Sequence, residues 1–326
     1  MSSSPITVIH SIPSSDALEQ NVLCHYQLSN FQSCRLLKRG LNDTYLVETE
    51  QNRYILRVYR YGWRTQDEID FELELLNFLH KQNAAISYPI EKITGGFTTA
   101  IAAPEGTRYT ALFSYAAGKA VDRRLDSEQS RKLGETVATI HETTNNFKNN
   151  FSRPELNNEY LLDASINAVS LLYKHRENDI DYLYKQAENL KSKLIALNLP
   201  KCPPFYGVCI GDVHSGNTHF TQFNQPTLFD FDQCGYGWRS FDIGKFINTS
   251  IAWKIDNKII SSFLEGYQTI RQLSNIEVDA IPLFTKIAHI WVMGISASVV
   301  GDVLAYSWFT DNWLDSKLKL FKTLEN

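Results

Sequence analysis

Asp212, Asn217 and Asp230 lie in one short stretch, IGDVHSGNTHFTQFNQPTLFDF, and their types and spacing suit the transfer of a phosphoryl group. Such a transfer needs a carboxylate to orient or take the proton of an acceptor hydroxyl, and oxygen ligands to hold magnesium against the phosphates. Asp212 is the expected base, with Asn217 and Asp230 on the metal. Magnesium prefers hard oxygen donors and keeps several waters, so one carboxylate and one amide oxygen are enough. The apolar run 208–210 stops at Gly211 and is followed by small or polar residues, so Asp212 is expected where a buried strand opens into a loop. Catalytic groups collect at such places. Residues 227–231, TLFDF, read as a second buried strand with Asp230 and Asp232 let into it. Taken singly, Asp212 and Asn217 could be turn formers that satisfy local backbone groups. The combination with buried acids favours phosphate chemistry.

GDVHSGNTHF followed by LFDFDQCGYGWRSFDIGKF resembles the catalytic region of the aminoglycoside phosphotransferase and choline kinase superfamily. The pattern there is His-Gly-Asp-x-His-x-x-Asn, then Ile-Asp-Phe-Asp, then Tyr-Asp-Leu-Ala. Its counterparts here are Ile210, Gly211, Asp212, His214 and Asn217, then Phe229, Asp230, Phe231 and Asp232, then Phe241, Asp242, Ile243 and Gly244. The resemblance implies ATP as donor and Mg2+ as its partner, Asp212 as catalytic base, and Asn217 and Asp230 as magnesium ligands. It also implies that Asp232 is structural at the site and that Asp242 braces the catalytic loop. Ile210 replaces the leading His, which puts the bracing of that loop in question more than the chemistry. His214 is the second catalytic candidate, with loop architecture preferred over direct catalysis.

The chain before this region supplies what a small kinase lobe requires. CRLLKRGLNDTYLVETEQNRYILRVYR reads as three strands, with turns at Arg39-Gly40 and Gln51-Asn52. Alternation in the third puts Ile55 and Arg57 on one face, so Arg57 points at the nucleotide. Members of the superfamily often carry Lys there; Arg keeps the charge and adds a fork geometry. Helical periodicity over 65–82 places the partner glutamate at Glu72 by the resemblance, with Glu74 as close competitor. The loop RGLNDT has one Gly and is a weak phosphate cradle. Asn42 and Asp43 are its residues expected to meet phosphates or cap the turn. Ala111 to Tyr115 would line an adenine pocket through their backbone.

The rest reads as a helical lobe. Helices are expected over 126–146, 257–267 and 279–300, the last with a core run, 287–300, too short to span a membrane. Leu133, Gly134, Ala138 and His141, and Phe263 to Tyr267, carry further family patterns, with His141 read as a satisfied core histidine. The charged, Tyr-rich stretch 153–200 is expected to be helical, its acids either a solvated face or part of a site for a cationic acceptor. Tyr236, Trp238, Trp308, Asp311 and Trp313 are the acceptor-side candidates, since aromatic faces and acids suit sugars and ammonium groups. The expected architecture is α+β and bilobal, protein-kinase-like. Residues 1–115 would form a nucleotide-binding lobe of antiparallel sheet plus one helix, 1–16 being a loose arm. Residues 116–326 would form a larger, mostly helical catalytic lobe.

At 326 residues the chain suits two lobes sharing a cleft. A formal net charge of -4 without a basic stripe argues against nucleic acid. The five scattered cysteines fit a reducing cytoplasm better than a disulfide framework, and the amino terminus carries no secretory pattern. The expected partner is therefore a small-molecule hydroxyl acceptor, with no nucleic acid and no membrane, in a monomer or homodimer. Two other readings compete with a small-molecule kinase. A dinuclear metallophosphoesterase shares Gly-Asp-x-His and Gly-Asn fragments, but it needs further His ligands downstream, where only His219 and His289 follow. A kinase-like protein that binds nucleotide or metabolite without turnover is the alternative that Ile210, Arg57 and the glycine-poor loop leave open.

Overall fold

Alternating strands of opposite-facing apolar residues build the first half of the molecule, seen here in a computed structural model that describes residues 6–121, 123–299, 307 and 309–324. Strands β1 (Phe31–Arg39), β2 (Asp43–Thr49), β3 (Arg53–Val58), β4 (Thr98–Ala103) and β5 (Gly106–Ser114) form one antiparallel sheet in the order β1-β2-β3-β5-β4. Tyr45, Val47, Leu56, Val58 and Leu112 point to the outer face. There they pack with Leu18 and Val22 from helix α1 (Ser15–Asn21) and its end. Each such burial contributes roughly 1.5–3 kcal/mol. The opposite face carries Thr44, Ile55 and Arg57 towards an interior cleft.

Helix α2 (Gln66–Lys81) lies between β3 and β4 in the chain. Thr65 starts it with a reciprocal capping box to Glu68, which satisfies two backbone donors that a helix end leaves open. Its apolar positions join a core shared with the second half of the molecule. The amino-terminal stretch is not a loose arm throughout. His10 reaches Asp43, the Ser11 N–H donates to Glu105 at 3.0 Å, and the Tyr45 hydroxyl donates to the Pro13 carbonyl at 2.6 Å. Buried polar groups of the sheet's outer face need partners, and this segment supplies them.

Beyond β5 the chain is mainly helical: α3 (Ser127–Thr143), α4 (Ala164–Leu172), α5 (Glu177–Leu197), α6 (Ser240–Ala252), α7 (Asn257–Ile270), α8 (Asn275–Val299) and α9 (Asp311–Thr323). Short strands β6 (Lys119–Ala120), β8 (Thr218–Phe220) and β9 (Pro226–Leu228) form one ribbon, and β7 (Tyr206–Cys209) pairs with β10 (Gly235–Trp238). Helices α3 and α7 touch backbone to backbone. A Cβ on Gly134 would run into the Phe263 carbonyl, and one on Gly266 into that of Arg131, so only glycine permits the approach. Helix α8 is 25 residues long and is apolar enough to cross a bilayer, but 67% of its most apolar stretch is buried. It is longer than the run 287–300 because its first turns, from Asn275, are amphipathic. Its neighbours α4, α5 and α6 account for that apolarity.

Within this core, His289 of α8 donates from Nε2 to the Lys317 carbonyl at 2.9 Å and accepts at Nδ1 from Asn248 at 3.2 Å. Burial, aided by the charge of Lys317, lowers its pKa from 6.5 to about 4. The unfolded chain therefore takes up this proton near pH 6.5 and the folded chain does not until about pH 4. Stability falls as pH drops through that window, by roughly 3 kcal/mol for this residue. Urea unfolding between pH 7 and 4 should show His289→Gln losing less stability on acidification than the wild type. Parallel curves would refute the assignment.

Candidate active site

β7 ends at Cys209, and the chain turns into the loop that carries Asp212. Gly211 makes the turn at φ +87, where a Cβ would strike the Gln233 carbonyl oxygen. The fully buried Asp242, in the first turn of α6, holds this turn. It accepts from the N–H groups of Ile210 at 2.7 Å and Gly211 at 2.8 Å, and from His141 Nε2 at 2.8 Å. His141 in turn meets the Tyr267 hydroxyl at 2.9 Å, Arg271 donates to that hydroxyl at 3.1 Å, and Arg271 pairs with Glu277. Burial lowers the His141 pKa, which keeps the ring neutral. The close α3–α7 contact exists to the benefit of this relay, since it brings His141 against Tyr267. Ile210 itself is buried in the core, so the loop is anchored by its backbone without the missing histidine.

Asp212 faces a cleft between the sheet and the helices. Its side chain is 27% exposed, and Lys245 Nζ of α6 lies 2.6 Å from Oδ1. His214 Nε2 stands 3.3 Å from Oδ2, and Asn217 Nδ2 donates to Oδ2 and to the Asp212 carbonyl, each at 3.1 Å. Burial alone would raise the Asp212 pKa. The charge of Lys245, followed by the His214 contact, outweighs that and holds the carboxyl well below the usual carboxylate range.

The facing wall centres on Arg57. Its guanidinium donates to Glu72 at 2.8 Å and to Asp230 at 2.9 Å, and the Tyr59 hydroxyl donates to the other Glu72 oxygen at 3.1 Å. Burial opposes the Arg57 charge, and the carboxylates of Glu72 and Asp230 more than restore it. Glu72 is fully buried while Glu74 is half-buried away from the cleft, so the helix phase selects Glu72. Asp230 does not sit inside a strand. β9 stops at Leu228, and Asp230 takes the left-handed conformation at φ +66, which Asp tolerates better than most residues. The Phe229 N–H donates to the Asn217 carbonyl at 3.0 Å and so ties the two loops together. Asp232 is turned to the junction of the lobes, accepting from Trp63 Nε1 at 2.9 Å beside Arg64, with Arg153 on its carbonyl.

These residues line one cavity of about 760 Å³, within the range of small-molecule sites. At one end are Phe113, Tyr115, Ala116, His219 and Phe229; Gly40, Leu41 and Asn42 cover it, with exposed Lys38 at the mouth. Asn42 accepts from the Arg60 N–H at 3.1 Å, a brace for the turn. Asp43 is not at the cavity. Strand alternation turns it to the outer face, where Arg108 binds it at 2.8 Å together with His10.

Of the acceptor-side candidates, the four described ones do not line this cavity either. Tyr236 packs edge-on against Phe71, Trp238 donates to the Pro200 carbonyl at 3.2 Å, and Asp311 is 52% exposed and paired with His175 and Arg176. Trp313 stacks on Tyr173, and Trp308 lies outside the described residues. Aromatic and acidic type is a poor guide to which side of a helix or strand faces a site. The far end of the cavity is instead formed by Asn248 and Thr249 of α6 and Trp253 just past its end, His289, Val292 and Ile295 of α8, and Lys317 of α9. Lys245 was the main residue that sequence reasoning missed. Its signal was its place three residues after Asp242, which puts both on one face of α6. Among the described residues no group of three or more His, Cys, Asp or Glu side chains is placed to hold a metal.

A profile of the phosphotransferase enzyme family matches residues 34–275. An uncharacterised protein of Synechocystis is 40% identical over 287 residues, 88% of this chain and 79% of its own length. An amicoumacin kinase of Bacillus subtilis is 26% identical over 80% of this chain and 79% of its own. Among solved structures, an amicoumacin kinase bound to AMP-PNP, Ca2+ and its ligand superposes with a TM-score of 0.73 at 21% identity, covering 91% of this chain and 90% of the other. The fold is that of a protein-kinase-like enzyme, and the chain belongs to the phosphotransferase enzyme family.

Proposed function

We propose that this phosphotransferase moves the γ-phosphoryl group of ATP to the hydroxyl of a small molecule. The observation that carries the reading is the single cavity with Asp212 on one wall and the Arg57–Glu72–Asp230 cluster on the other. An ionised carboxylate held by a lysine at the cavity wall suits the orientation of an acceptor hydroxyl, which favours turnover over binding alone.

The residues present fit a magnesium ion. Arg57 engages Asp230 Oδ1 and leaves Oδ2, in a side chain that is 46% exposed, while Asn217 spends its amide nitrogen on Asp212 and keeps Oδ1. Burial raises the Asp230 pKa, and Asp232 and Asp212 raise it further against Arg57, so the carboxylates here have room for a second positive charge beside Arg57. Magnesium held by Asn217 and Asp230 would supply that charge against the phosphates.

In the transfer step, Asp212 accepts a hydrogen bond from the acceptor hydroxyl and takes its proton as the oxygen closes on phosphorus. Its depressed pKa makes it an orienting group first and a base late in the step. Lys245 fixes the carboxylate rotamer, and His214 shapes the loop from the other side. Arg57, positioned by Glu72, meets the phosphates, and Asn42 holds the covering turn.

Thermal unfolding with and without magnesium-ATP tests the reading. A rise in Tm that requires both components is expected. Arg57→Ala should reduce it and raise the nucleotide KM by about tenfold or more, the weight of a charge-assisted contact. An unchanged KM would mean that Arg57 serves only the Glu72 pair, and no rise in wild-type Tm would favour a degenerate kinase fold.

A further inference from the structure

Among the described residues, the far end of the cavity is built unlike a site for a cation. Among the described lining residues the carboxylates are Glu72, Asp212, Asp230 and Asp232, and each already faces a positive partner. Glu72 and Asp230 share Arg57 at 2.8 and 2.9 Å, Arg64 stands 3.6 Å from Asp232, and Lys245 lies 2.6 Å from Asp212. The described residues that α6, α8 and α9 add include no Asp or Glu. They offer an apolar wall of Val292 and Ile295, the indole of Trp253, and Lys317.

Lys317 is half-buried and lines the cavity, with no ion-pair partner among the described residues. Its ammonium lies 5.7 Å from the Trp313 ring centre. Neighbouring His289 adds no charge, because its two ring nitrogens are fixed as one donor and one acceptor. Burial lowers the Lys317 pKa, with no counter-charge among the described residues to offset it. A half-buried lysine beside an apolar wall complements an anion on an aliphatic stem, and it repels an ammonium group.

We infer that the acceptor is an alcohol carrying a carboxylate, which Lys317 binds while Val292, Ile295 and Trp253 cover the stem. The inference rests on the kinase reading above. The hydroxyl oxygen bonds to the γ-phosphorus, the bond to the β–γ bridging oxygen breaks, and ADP leaves. The hydroxyl proton passes to Asp212 and then to solvent, and the product is a phosphate monoester with its carboxylate intact.

The test uses the full chain with magnesium and a non-hydrolysable ATP analogue, titrated calorimetrically with 3-hydroxypropanoate, 4-hydroxybutanoate and glycerate. Ethanolamine, 3-aminopropanol and choline form the opposed panel, and ADP release with ATP is measured for each compound. At least one hydroxy acid is expected to bind and to be phosphorylated in preference to the amino alcohols. Lys317→Met should weaken acid binding by about tenfold or more, with Lys317→Arg retaining most of it. Binding of the ATP analogue should stay within about twofold, since Lys317 lies away from the nucleotide end. Preference for an amino alcohol, acid binding unchanged in Lys317→Met, or no response to any hydroxy acid would overturn the inference while leaving the kinase reading intact. Failure to bind magnesium-nucleotide at all would remove both.

Discussion

Asp212→Asn is expected to lower turnover by about 10²- to 10⁴-fold, the usual loss when a positioned general base is removed. The amide still fills the same space beside Lys245, and its oxygen can still accept from Asn217, so the fold should survive. Asp212→Ala is the harsher form. It strips Lys245 of its carboxylate partner, leaving only the Thr249 hydroxyl at 2.8 Å for a buried ammonium. An uncompensated charge of that kind destabilises by several kcal/mol where burial is complete. The two variants should therefore share the catalytic defect and differ in Tm, with Asp212→Ala the lower. Steady-state kinetics and melting on the same preparations separate the effects. Turnover at the wild-type rate in Asp212→Asn would remove Asp212 from the chemistry.

Asp242→Ala should produce the largest loss of stability. Its two oxygens serve the Ile210 and Gly211 N–H groups and His141 Nε2, and all of these are buried. Each donor left without a partner costs about 1–3 kcal/mol, so a total of roughly 4 kcal/mol or more is expected by urea unfolding. Asp242→Asn keeps one acceptor oxygen and brings an unwanted donor, so it should recover little. The change also reaches function, because the turn at Gly211 aims Asp212 at the cavity. A correctly folded residue of the population should therefore turn over more slowly. A loss below about 1 kcal/mol would show that the loop is anchored by other contacts.

Asp242 also explains why Ile210 is tolerated. Side chains at this position are buried in the core and contribute packing, whereas the loop is held through backbone N–H groups that any residue supplies. The second bracing partner, His141, is 101 residues away in sequence. No local pattern near Asp212 could reveal it.

Local rules read the sheet, the capped helix α2 and the core helices from the sequence, because alternation and helical period depend on near neighbours. The same rules aimed Arg57 into the cleft, and motif spacing brought Asp212, Asn217 and Asp230 to one cavity. Where phase mattered by one residue, type alone misled. Asp43, one place from Thr44, faces the outer core, and Asp230 lies past the end of β9 in a left-handed turn. The far end of the cavity was beyond reach of the sequence, since α6, α8 and α9 meet there only after packing. Aromatic and acidic residues that looked suited to a ligand, Trp238 and Asp311 among them, are satisfied by neighbours elsewhere. Lys245 and Lys317 look like ordinary lysines in the chain and acquire their meaning from where helices place their charges. Chemistry and fold class were thus determined by short-range pattern, while the charge of the cavity's far end was decided by tertiary packing, because electrostatics depends on distance in space and on burial rather than on order along the chain.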